Sequence, residues 1–320
     1  RANGFTAVGP AVVSNAAAIA GSFNPTTFGY FGGGGSPVKS TVDRIDYSND
    51  TATASPKGPL SIVKQSMGAT GNSFFGYFGG GSTPSPISSV DRVDYSNDTT
   101  TAVIKGPLSA ARYTLAATGN ASFGYFVGGG APTVSTIDRI DYSNDTATAS
   151  IRGSNNFPQV NIAATGNQSF GYVGGGAEGA YTHVSRIDYS NDVATSIGKG
   201  NLSSGALQGA ATGNASFGYF GGGKHAPDPV TPESRISRID YSNDTAVSVI
   251  KGPLSVARYS LAATGNADFG YFGGGSSPDK STVDRIDYSN DTGTAPAKGP
   301  LSVARYGLGA SSAAANANPQ

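Results

Sequence analysis

The chain has 320 residues, and its 21 lysines and arginines match its 21 aspartates and glutamates, so no net field draws it to nucleic acid or to an anionic membrane. It has no cysteine, which excludes disulfides and thiolate metal sites, and no apolar run near the ~18 residues of a membrane-spanning helix. With 47 glycines, no tryptophan and few long helix-forming runs, the composition points to an all-β protein.

In chain order, residues 1–24 form an N-terminal extension, with one weak candidate strand at 16–21. The start, Arg1-Ala2-Asn3-Gly4, lacks methionine and is expected to come from processing or from a longer protein. Residues 11–20 lack the basic flank and length of an intact signal peptide.

From residue 25 two phrases alternate six times. FGY, continued by Phe or Val and a glycine run, opens at Phe28, Phe75, Phe123, Phe170, Phe217 and Phe269. DYSND, preceded by a Val/Ile-x-Arg strand, begins at Asp46, Asp94, Asp141, Asp188, Asp240 and Asp287. A period of 47 to 52 residues is that of a solenoid, a propeller or an array.

Each repeat reads as four short strands. In the third copy they are expected at residues 113–118, 123–127, 137–142 and 146–151, with turns at Gly119-Asn120 and Ser143-Asn144-Asp145. Every DYSND aspartate lies 29 residues before the next FGY phenylalanine. The reverse distance is 18, 19, 18, 18, 23 and 18, so length varies only between the second and third strands. In an antiparallel meander those loops and the interblade links share one face, and the TGN and YSND turns share the other. Lys64, Arg112, Gln159, Ala206, Arg258 and Arg305 hold equivalent, variable link positions. After residue 298 a seventh copy begins and dissolves. Residues 304–308 repeat 257–261 and are expected to close a ring against the strand at 28–32.

Residues 251–291 resemble a kelch repeat. Leu254 and Arg258 precede an apolar strand, an aromatic strand ends in Gly274-Gly275, and Asp287 ends a third strand before a turn. The kelch tryptophan of the fourth strand is missing from every copy. The resemblance covers about residues 25–310 and implies a six-bladed β-propeller of four-stranded antiparallel blades, closed by its C-terminal strand, with residues 311–320 as a tail. The DYSND/FGYFGGG flavour is similar to repeats of virion and tail-fibre-associated proteins of marine bacteriophages.

The glycine runs end strands and match neither GxGxxG nor Walker spacing, so they read as turn and close-approach glycines. DYSND misses the DxDxDG calcium pattern. The arginine–aspartate pairs (Arg44/Asp46, Arg92/Asp94, Arg139/Asp141, Arg186/Asp188, Arg238/Asp240 and Arg285/Asp287) read as buried structural ion pairs between blades, with a ring of cations around the channel as the functional alternative. The two histidines, His183 and His225, lie in variable loops with no second-shell pattern, and no catalytic triad is recognisable. Asp228, Glu233 and Asp279 leave a carboxylate pair open there. Tyr30, Tyr47 and their equivalents read as core, and Tyr181 as a loop tyrosine able to stack on a sugar.

The expectation is a non-enzymatic structural or interaction module of an extracellular or virion assembly, such as a phage fibre or decoration, with protein partners and no cofactor or metal. Partner contacts are expected at Tyr181, His183, Lys224, His225, Asp228 and Glu233. The alternatives are a glycan-binding adhesin using the variable face and a carbohydrate-active enzyme.

Overall fold

The computed structural model describes residues 25–177, 182–225 and 231–313; the candidate strand at 16–21, Tyr181 and Asp228 lie outside them. Six antiparallel blades form a β-propeller. In blade two the strands Gly68–Gly71, Phe75–Gly79, Val90–Asp94 and Val103–Lys105 pair in sequence order, and the meander recurs around the axis. In blade six the outermost strand is reduced to one bridge, Asp284 with Ala297. Blade one takes its innermost strand, Gly309–Ser312, from the far end of the chain; Gly29 pairs with Ser312 and Gly32 with Gly309. The closing strand is thus C-terminal to the expected 304–308 and runs across the expected boundary at 310.

Blade three shows where the local reading shifts. Its first strand is Ala116–Gly119, because Thr114 has φ +53° and cannot be extended. Tyr142 leaves the third strand, Thr136–Asp141, for a short 3-10 turn, Tyr142–Asn144, capped by the Asp141 carboxylate on Ser143 N. The fourth strand starts only at Ser150, since the preceding residues turn inward to bury Asp145 and Ala149.

Small side chains let six first strands converge. They contact one another in a closed circle, with Ala69, Ala117, Ala164, Ala211, Ala263 and Ala310 facing the axis. Behind them the blades interlock. A Cβ on Gly32 would strike the Phe78 ring of the next blade, and Gly79/Phe126, Gly174/Phe220, Gly221/Phe272 and Gly273/Phe31 repeat the fit. At the remaining joint both partners change together, to Val127 and Val173 in one apolar cluster, which conserves the filled volume.

Each joint also carries one charged clasp. The last aspartate of DYSND in one blade receives three donors from the blade before it. For Asp145 these are Tyr77 Oη at 2.9 Å, Arg92 at 2.8 Å and Lys105 Nζ at 3.0 Å. Asp50, Asp244 and Asp291 are held in the same way, Asp98 and Asp192 keep the tyrosine and arginine with the third cation back at 3.7 Å, and Arg285 on Asp50 closes the circle. Burial alone would push the Asp145 carboxyl up, but Lys105, Tyr77 and Arg92 outweigh it and hold it below the usual range. Stacked tyrosines, such as Tyr77 on Tyr142 with centroids 4.8 Å apart, complete the joint.

This corrects the expected pairing. Arg44, Arg92, Arg139, Arg186, Arg238 and Arg285 bond across the joint, not to Asp46, Asp94, Asp141, Asp188, Asp240 and Asp287, whose carboxylates cap their own turns. These arginines are half-buried, their side chains 19–26% exposed, and they do not line the channel. Each also lies over the FGY phenylalanine of its own blade, as Arg139 does over Phe123 at 4.2 Å.

Candidate functional site

The variable loops and links build one face, and its frame is the same in every blade. The second and third glycines that follow FGYF adopt positive φ in blade one, +67° at Gly33 and +113° at Gly34, and the N–H of Gly34 donates to Lys64 O of the link. The equivalent bond recurs in all six blades, so these N–H groups hold the links and are not a phosphate cradle. Loop length varies only between two fixed backbone bonds. In blade six Lys280 N donates to Gly275 O while Lys280 O accepts from Arg305 N. In blade five Glu233 makes both bonds, to Gly223 and from Arg258, so the longer excursion is held at the same two points.

Around the channel mouth on this face runs a belt of backbone hydrogen bonds. Ser66, Thr114, Asn161, Gln208, Ser260 and Gly307 all have positive φ, and each N–H donates to the carbonyl of its counterpart in the preceding blade, at 2.7–3.0 Å. The belt closes on itself between Ser66 and Gly307. It rims a cavity of about 70 Å³, room for little beyond water. Among the described residues no titratable group lines the axis at either end.

The link residues that the sequence places on this face are in fact core. Lys64, Arg112, Arg258 and Arg305 are buried, 0–3% exposed at the side chain, and bond Asp91, Asp138, Asp284 and Asp43 of the third strands at 2.7–2.9 Å. Blades four and five lack both charges at once: Gln159 stands with Ser185, and Ala206 with Ser237. A buried cation without its carboxylate would be uncompensated, so the two positions change as a pair. In blade four neutral hydrogen bonds replace the ion pair. Gln159 Nε2 donates to Gly175 O, Asn155 Nδ2 donates to Gln159 Oε1, and Ser196 Oγ donates to Asn155 Oδ1.

This exchange can be tested inside one blade. Arg258→Gln should cost about 3–5 kcal/mol by stranding the Asp284 carboxylate. Arg258→Gln with Asp284→Ser, the pair blade four uses, should recover most of it. Chemical denaturation of both variants measures the difference, and equal losses would contradict the pairing.

The predicted partner residues fall out unevenly. His183 belongs to the neutral network of blade four: Nε2 lies 3.1 Å from Ser185 Oγ and 3.3 Å from Asn156 Nδ2, with Phe157 edge-on at 4.7 Å. Burial pushes its pKa down, which keeps the ring neutral. His225 stays 44% exposed at the side chain, with Nδ1 2.7 Å from Glu233 Oε1, while Arg235 holds the other oxygen at 3.1 Å. Lys224 and His225 form a two-residue strand against Ala206 and Leu207, and Lys224 Nζ sits 4.0 Å over the Tyr259 ring. So Lys224, His225 and Glu233 form one cluster with Arg235, and His183 is held in a separate network. Among the described residues no group of three His, Asp or Glu side chains is placed to hold a metal. At DYSND the first carboxylate caps the turn and the last sits in the joint clasp, so both are engaged by the protein.

No family profile and no curated protein matches the sequence. Many solved structures share the shape. One, described as the structure of YjhT, aligns with a TM-score of 0.62 at 12% identity, over 79% of this chain and 88% of that one. At that identity the likeness is one of fold.

Proposed function

We propose that the chain is a kelch-type propeller serving as a non-enzymatic interaction module of an extracellular or virion assembly, docking a protein partner on its loop face over blades four and five. The observation that carries this is a coincidence of two departures. The longest loop, with His225, Glu233, Arg235 and Lys224, belongs to one of the two adjacent blades that lose the buried ion pair, and it is set on a frame that all six blades share. Half-buried charged groups held by one another on a rigid scaffold are suited to recognition. The similarity of the repeat to virion and tail-fibre-associated sequences favours a particle as the setting.

Glu233 makes the same two backbone bonds as Lys280, so residues 224–233 can be replaced by residues 276–280 without moving the frame. That variant should fold with an unchanged thermal midpoint and incorporate into its parent particle at least tenfold less well, measured by co-sedimentation. Normal incorporation would overturn the assignment of this face.

A further inference from the structure

The opposite, uniform face carries clefts between neighbouring turns. One of about 400 Å³ lies between Asn214 of blade five and Ala267, Phe269, Asp287 and Ser289 of blade six. Its equivalent, about 420 Å³, lies between Asn120 and Gln168, Phe170, Asp188 and Ser190. Asn72 with Phe123 and Asp141, and Asn167 with Phe217 and Asp240, occupy the same repeat positions at two further joints.

In the first cleft the asparagine amide and the turn carboxylate are held in place by their own turns. Asn214 Oδ1 accepts from Ser216 N and Phe217 N, which leaves its amide N–H₂ toward the neighbouring turn, 3.4 Å from Ala267 O. Asp287 Oδ1 accepts from Ser289 N at 2.9 Å and Ser289 Oγ at 2.6 Å, leaving Oδ2 as an acceptor for a ligand. The Ser289 hydroxyl holds that carboxyl below the usual range, so it is charged at neutral pH. Phe269 is half-buried and pinned by the Arg285 guanidinium at 4.4 Å, which is itself tied to Asp50. The second cleft repeats this with Phe170, Arg186 and Asp188.

We propose that these clefts are saccharide sites, each taking one sugar unit of a repeating or densely displayed glycan. An oriented amide donor, a carboxylate acceptor and an aromatic edge match the vicinal hydroxyls and the C–H face of a pyranose. The carboxylate disfavours phosphate, and the mixed polar and aromatic lining suits a sugar ring, which presents hydroxyls and a C–H face together. Several equivalent weak sites on one rigid face suit a ligand presented in many copies, where avidity exceeds each affinity by roughly 10²–10⁴.

The test is binding of the intact chain to a printed glycan array, followed by titration with the best sugar in free form. Strong binding to dense spots is expected, with free monosaccharide at least a hundredfold weaker. Replacing Asp141, Asp188, Asp240 and Asp287 by Asn keeps the turn caps and should weaken binding at least tenfold. Ala121→Trp with Ala215→Trp and Ala267→Trp, at exposed rim positions, fills three clefts and should do the same even if the first variant folds poorly. An array with no bound glycan overturns the proposal, as does binding that survives the tryptophans. Binding lost only on exchange of 224–233 would place the sugar on the loop face and overturn it too, without touching the test of particle incorporation.

Discussion

Removal of residues 301–320 is expected to abolish cooperative folding instead of trimming an end. The deleted segment supplies the innermost strand of blade one, and without it the Phe28–Gly32 strand loses a full ladder of partners. It also carries Arg305, which bonds Asp43 at 2.8 Å and the carbonyls of Gly33 and Phe31. Asp43 has no solvent exposure, so losing its guanidinium alone costs about 3–5 kcal/mol. Leu301 and Leu308 leave the cluster formed with Phe31 and Tyr271, and Ser311 Oγ leaves its 2.5 Å bond to Tyr95 of blade two. Against a typical net stability of about 5–15 kcal/mol, these losses consume most or all of the margin. Circular dichroism should show no sharp thermal transition. An unchanged midpoint would mean that another segment, with residues 16–21 the sequence candidate, can close the circle.

The second large effect is alkaline. Twelve tyrosines, two per joint, have pKa values pushed well up, in every case first by burial. Their hydroxyls donate to the clasp aspartates or bond the inner strands, so ionising them in place would set charge against charge. A folded pKa above the unfolded value of about 10 contributes stability that is complete below pH 10 and lost as pH rises. Each such group loses about 1.4 kcal/mol per pH unit above 10, and twelve together reach on the order of 15 kcal/mol in one unit. The propeller should therefore hold to about pH 10 and unfold cooperatively within roughly the next unit or so. Phenolate absorbance and circular dichroism should change together. Gradual ionisation of these tyrosines ahead of any loss of structure would show that the joints do not bury them as described.

Much of this architecture was legible in the sequence because it is local and repeated. The glycine run after FGYF, the turn residues of TGN and YSND, and the alternation of the third strand each demand one backbone conformation, and six copies show it six times. The constant 29-residue spacing placed all length variation in one loop, and the structure shows the two backbone bonds that confine it there. The orphan copy after residue 298 pointed to closure from the C terminus for the same reason, though the strand itself falls a few residues later, past the positive-φ turn at Gly307.

What only the tertiary structure decided is who meets whom across a joint. Arg44 and Asp46 are two residues apart and share a strand face, yet Arg44 bonds Asp98, because neighbouring blades bring the third strand of one against the turn of the next. The link cations looked like surface variation, and the fold buries them behind the glycine runs against aspartates 26 to 27 residues away in three blades and 262 in the fourth. A trace of that contact was present: Asp43, Asp91, Asp138 and Asp284 become Ser185 and Ser237 in the two repeats whose link cation is missing. Local pattern placed the second and third strands of each blade to within a residue, while the first, fourth and closing strands begin several residues later than the pattern suggests. Charge partners and the burial of His183 were set by interblade and through-blade packing, whose contacts join residues that no local spacing relates.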